Sequence, residues 1–143
     1  MKTKFSELLK VKKQKLSEIE QQLAAKRYEK EVVVLQKVQI ESEISAFQLP
    51  KEGDFSSMKL AIANREYLFK EKEHKENMIK YFEQEIDNLN FLYKEANIEY
   101  EKIKHLHEVE VEKMITELLK KESKQMDEIA NQLFVRNLKK GNF

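Results

Sequence analysis

Apolar residues recur along most of this chain at alternating steps of three and four, the spacing of a single stripe along a coiled-coil helix. From the N-terminus the stripe reads Phe5, Leu9, Lys12, Leu16, Ile19, Leu23, Lys26, Lys30, Val33, Lys37, Ile40, Ile44 and Phe47. Nine of these thirteen positions are apolar, enough to set the pattern apart from a chance run. Val32, Val34, Leu35 and Val38 widen it. Lys12, Lys26, Lys30 and Lys37 interrupt it, and a lysine there lays its methylenes along the seam and lifts its ammonium into water. The pattern predicts a first helix over about residues 4–47.

One segment breaks the periodicity, Gln48-Leu49-Pro50-Lys51-Glu52-Gly53-Asp54-Phe55-Ser56-Ser57. Pro50 turns Leu49 away from the helical region and removes an amide donor. Gly53 permits a positive φ, and Ser56 or Ser57 offers an N-cap. A turn is expected at 48–56.

A second helix is expected over about 57–138. Its stripe runs Met58, Ala61, Arg65, Leu68, Lys72, Lys75, Ile79, Phe82, Ile86, Leu89, Tyr93, Ala96, Tyr100, Ile103 and His107. It then slips by four to Val111, Ile115, Leu118, Glu122, Gln125 and Ile129, the signature of a stutter. The fold predicted is all-α, a single coiled-coil domain: an antiparallel two-helix hairpin whose longer second helix overhangs the first. A tight turn places residue i opposite residue 105 − i, so the overhang is expected from about residue 104. That overhang carries Val109, Val111, Met114, Ile115, Leu118, Leu119, Met126, Ile129, Leu133 and Phe134. Such a stripe on an unaccompanied helix marks a partner-binding segment.

Composition narrows the function. The chain has 143 residues, 37% of them charged, with two Gly, one Pro and no Cys or Trp. That is the make-up of long helices rather than of a fold with many turns. A net charge of +1 supplies no field for nucleic acid. No apolar stretch approaches the ~20 residues that cross a bilayer, so no direct membrane insertion is expected. A cytoplasmic location is the default reading.

A two-helix hairpin offers no enclosed cleft, so no enzyme, catalytic residue or cofactor is expected. No metal site is expected either. His105 and His107, two apart on a helix, point to different faces and read as a solvated and a seam histidine. The aromatics Tyr67, Phe69, Tyr81, Phe82, Phe91, Tyr93 and Tyr100 read as seam packing rather than base stacking. Lys120, Lys121, Lys124, Arg136, Lys139 and Lys140 suit a helix C-terminus or docking to an acidic protein.

Two local features carry a resemblance. Gln125-Met126-Asp127-Glu128-Ile129-Ala130 followed by Arg136 resembles the C-terminal signature of the flagellar export protein FliJ family. Phe5-Ser6-Glu7-Leu8-Leu9-Lys10-Val11-Lys12-Lys13 resembles that family's opening. The resemblance implies a stalk of the flagellar type III export apparatus, similar to the rotary ATP synthase gamma subunit. It implies three partners: a hexameric export ATPase (FliI-like), an export gate membrane protein (FlhA-like) and export chaperones. It places the protein in the cytoplasm, peripherally associated with the inner membrane at the flagellar base. Carried onto this chain, the ATPase-side candidates are Phe5, Leu9, Val111, Ile115, Leu118, Met126, Asp127, Glu128, Ile129, Ala130 and Arg136. Tyr67, Leu68 and Lys72 are the gate-side candidates. The alternative is a structural adaptor that oligomerises, or binds a partner helix, through its overhang. A stalk from an injection-type secretion apparatus would read the same way.

Overall fold

The computed structural model describes residues 1–141 and contains two α-helices, α1 (Ser6–Ala46) and α2 (Phe55–Lys139). The fold is all-α, and the two helices pack against each other as a hairpin. Two units make up the chain: Gln14–Asn97, and Met1–Lys13 with the residues from Ile98 onward.

In the first unit the seam lies where the heptads place it. Leu16, Ile19, Leu23, Val33 and Ile40 of α1 are buried, and Lys26, Lys30, Lys37 and Ile44 are half-buried between them. The facing stripe of α2, from Leu68 to Tyr93, is half-buried, and Ala96 is buried. The helix that brings the shorter side chains is covered by the long rings and lysine stems of the other. Lysines in the seam are accommodated one by one. Lys26 Nζ stands 5.7 Å from the centroid of the Phe82 ring, a cation–π contact. Lys37 Nζ lies 3.6 Å from both Glu41 and Glu76, and Lys72 Nζ lies 3.9 Å from Glu41. These charges are half in water, so each pair contributes little beyond fixing the alignment.

That alignment differs from the expected one by about one heptad. Glu20 meets Tyr93, Lys30 meets Glu83, Lys37 meets Glu76 and Glu41 meets Lys72; the numbers of each pair add to 113 rather than 105. The cause is the connection. Residues 47–54 form no helix, and they shift α2 along the seam instead of turning it back at once. The opening turns of α2 therefore lie past the end of α1. Between Phe55 and Leu68 only Ala61 is half-buried, and Phe55 is 81% exposed.

The start of α2 is capped by Asp54 rather than by Ser56 or Ser57. Its Oδ1 accepts the Ser57 amide at 2.9 Å and its carbonyl accepts the Met58 amide at 3.3 Å. These hydrogen bonds from Ser57 hold the Asp54 carboxyl below its ordinary value of 3.8. Gly53, with φ +154°, delivers the chain into that cap.

In the second unit α1 begins with a reciprocal cap. Thr3 Oγ1 accepts the Phe5 amide at 3.1 Å, and the Thr3 amide donates to Ser6 Oγ at 2.8 Å. Phe5, Leu9 and Lys12 are half-buried, as are Tyr100, Ile103, His107, Glu110, Val111 and Met114 of α2. Val111, the first position after the expected slip, is half-buried beside Glu110 and Met114, and Ile115, the next, is 43% exposed. The overhang thus begins after Met114 rather than near residue 104. The physical reason is again the alignment: a shift of one heptad carries the N-terminal residues further along α2.

Candidate functional site

From Ile115 to Gly141 every side chain is exposed. Helix α2 continues to Lys139, so about 25 residues, roughly 37 Å at 1.5 Å per residue, are helical without cover from α1. Ile115, Leu118, Leu119, Met126, Ile129, Leu133, Phe134, Val135 and Leu138 stand on this stretch, with Met126 at 71% exposure. Isolated apolar side chains on a surface are ordinary, but a run of this length on one helix is not. The last four turns hold Arg136, Lys139 and Lys140 and, after Glu128, no carboxylate side chain. Cations at a helix C-terminus face the unsatisfied carbonyls and are stabilised by them.

All the ATPase-side candidates fall in one unit. Ile115, Leu118, Met126, Asp127, Glu128, Ile129, Ala130 and Arg136 are exposed along α2. Phe5, Leu9 and Val111 are half-buried where α1 and α2 pair. The pairing is tied by Thr3, whose Oγ1 lies 2.9 Å from His107 Nδ1. Phe5 and Leu9 therefore serve the seam in this state and present only part of their surface.

The gate-side candidates belong to the other unit, and they divide. Leu68 and Lys72 are half-buried seam positions, and Lys72 also pairs with Glu41. Tyr67 faces solvent. The charge of Glu71 one turn on, and then a hydrogen bond to it, hold the Tyr67 phenol above its ordinary value of 10.0, so it stays neutral. Phe55, Met58, Leu60, Ile62 and Phe69, elsewhere on the opening turns of α2, are also exposed. Leu60, Ile62 and Phe69 are apolar yet fall off the seam spacing.

Among the described residues no group of three His, Cys, Asp or Glu side chains could hold a metal ion, and no helix is long and apolar enough to cross a membrane. What the stretch after Met114 presents is an exposed helical surface with apolar side chains along it.

Comparison with known proteins agrees with the residues that first suggested a family. The family model described as "Flagellar FliJ protein" matches residues 1–139. No match to the chain came from the curated proteins or from the solved structures. A family match across nearly the whole chain, on a two-helix hairpin, leaves one conclusion: this chain belongs to the flagellar FliJ family, coiled-coil proteins of flagellar export.

Proposed function

We propose that this chain is a non-catalytic stalk of the flagellar type III export apparatus that binds and stimulates the hexameric export ATPase. One observation carries the reading: a FliJ-family chain whose second helix runs on past Met114 with its apolar side chains uncovered. A ring of six subunits encloses a central hole, and a lone helix with an apolar stripe and a basic end is the shape that enters one. The exposed residues Ile115, Leu118, Met126 and Ile129 make the apolar contact. Asp127, Glu128 and Arg136 set its orientation through charge. Phe5, Leu9 and Val111 support it from the paired part of the same unit.

The other proposed links are to an export gate membrane protein, through Tyr67 with Leu68 and Lys72, and to export chaperones. The protein then works at the cytoplasmic face of the inner membrane, peripherally, at the flagellar base. The test is turnover of the cognate export ATPase at low salt. Full-length protein raises it, and a chain ending at Met114 does not, while its helical signal per residue is retained. No rise with the full-length chain rejects the stalk.

The spacing of Ile115 and Leu118 also suits a second reading, a coiled-coil adaptor that self-associates through the overhang. It predicts a concentration-dependent dimer or tetramer in sedimentation, abolished by Ile115→Asp with Leu118→Asp. A monomer at all micromolar concentrations removes it.

A further inference from the structure

The heptad stripes of α1 and α2 mesh in two places one repeat apart. In the observed register the pairs Lys30–Glu83 and Lys37–Glu76 put Leu16, Ile19, Leu23, Val33 and Ile44 level with Ala96, Tyr93, Leu89, Ile79 and Leu68. Lys26, Lys30, Ile40 and Phe47 then meet Ile86, Phe82, Lys72 and Arg65, and Lys37 meets Lys75. Moving α2 by one heptad puts Leu16, Ile19, Leu23, Ile44 and Phe47 level with Leu89, Ile86, Phe82, Ala61 and Met58. Lys26, Val33, Lys37 and Ile40 then meet Ile79, Lys72, Leu68 and Arg65, and Lys30 meets Lys75. Each register thus has five wholly apolar layers, four layers with one cation and one Lys–Lys layer. A register is specified where its rivals bury less or clash more, and here the rival matches it layer for layer. We propose that the paired helices of residues 14–97 exchange between the observed register and a second one, reached by sliding α2 about 10 Å, one heptad, along α1.

The loop, the opening turns and the cross-helix contacts all allow the slide. Residues 47–54 reach about 26 Å when extended. They climb about 17 Å along α2 in the observed register and about 6 Å in the second, so neither strains the loop. The heptad stripe of α2 opens at Met58, yet Met58 and Arg65 are exposed and Ala61 is half-buried. In the second register Phe47, Ile44 and Ile40 cover these three, so the exposure of the opening turns is what the slide switches. The contacts that hold the observed register lie partly in water and are individually weak. Lys30–Glu83, Lys37–Glu76, Lys72–Glu41 and the Tyr93 hydroxyl on Glu20 break in the slide. Lys30 comes level with Glu76 instead, and Arg65, now 5.5 Å over the Phe69 ring, comes level with Glu41. Four contacts give way to two, which leaves the observed register in the majority and the second as a minor state.

The slide is a property of the chain alone, independent of any ATPase. The chain has no cysteine, so introduced pairs report the register without background. Lys75 is the common partner, level with Lys37 in the observed register and with Lys30 in the second. In the observed register Lys30 and Lys75 stand a heptad apart along the seam, too far for a disulfide. The experiment is the rate of intrachain disulfide formation in the full chain with oxidised glutathione, read as gel mobility without reductant. Lys37→Cys with Lys75→Cys is expected to close first. Lys30→Cys with Lys75→Cys is expected to close completely, about ten- to a hundredfold more slowly, in the range of a minor state. Ile44→Cys with Lys75→Cys needs a slide the opposite way and reports local unfolding near the end of α1, so it is expected to close slowest of the three. Lys37→Leu, added to the Lys30 and Lys75 cysteine pair, meets Leu68 only in the second register and is expected to speed that closure. If unfolding were the route, the same change would slow it. Closure of the Lys30 and Lys75 pair no faster than the Ile44 control overturns the slide, as does slowing by Lys37→Leu.

Discussion

Leu23 is 6% exposed in a pairing that has only two helices to provide cover, and it illustrates how the seam is held. Burial of that order removes nearly all of the side chain from water, yet two helices can close on a gap more easily than a layered core can. Leu23→Ala is therefore expected to cost about 2 kcal/mol, the low end of the range for such truncations, read as a lower urea midpoint with unchanged slope. Asp54 works differently, through hydrogen bonds in water. Its carboxyl is held below the ordinary value by the Ser57 bonds, so its stabilising effect is complete above 3.8 and disappears as pH falls through the depressed value. Asp54→Ala should melt earlier than wild type at pH 7, and the difference should shrink in strong acid. Asp54→Asn, an equally good cap without a charge, should remove most of that pH dependence.

At the scale of the element, the lysines of the seam decide how tightly the helices hold. Lys30 lies in the stripe of α1, its ammonium 3.5 Å from Glu83 at the rim, and the ring of Phe82 occupies the opposing stripe. Lys30→Leu places apolar surface in the seam and should raise stability by about 1 kcal/mol in a thermal melt. Lys37→Leu should gain less, because Lys37 bridges Glu41 on its own helix to Glu76 on the other. The same residues show what the sequence could and could not convey. Every position of the α1 stripe, from Phe5 to Phe47, is buried or half-buried, because the heptad spacing is a property of one helix and is written along it. The alignment of the two helices is not written that way. It depends on how far residues 47–54 advance the chain, a loop geometry that periodicity does not encode. The error of one heptad carried through to the start of the overhang. The α2 cap was missed for a local reason, since two serines adjoin the aspartate that performs the role. Thr3 and His107, 104 positions apart, had no sequence signal joining them.

For the whole molecule the question is what a family of paired helices offers the export apparatus. The match over residues 1–139 identifies the family. The uncovered run of α2 after Met114 supplies the surface through which the stalk is proposed to act. Truncation at Met114 removes exposed side chains only, so the paired part should unfold at nearly the same temperature as in the full chain. The central claim is that residues 115–138 are the surface that meets the ATPase. It is tested most directly by hydrogen-exchange mass spectrometry of the full chain with and without its cognate export ATPase hexamer. The account predicts fast exchange over 115–138 in the free protein and strong slowing of that segment on mixing. Unchanged exchange there, with protection appearing only elsewhere on the chain, would contradict it.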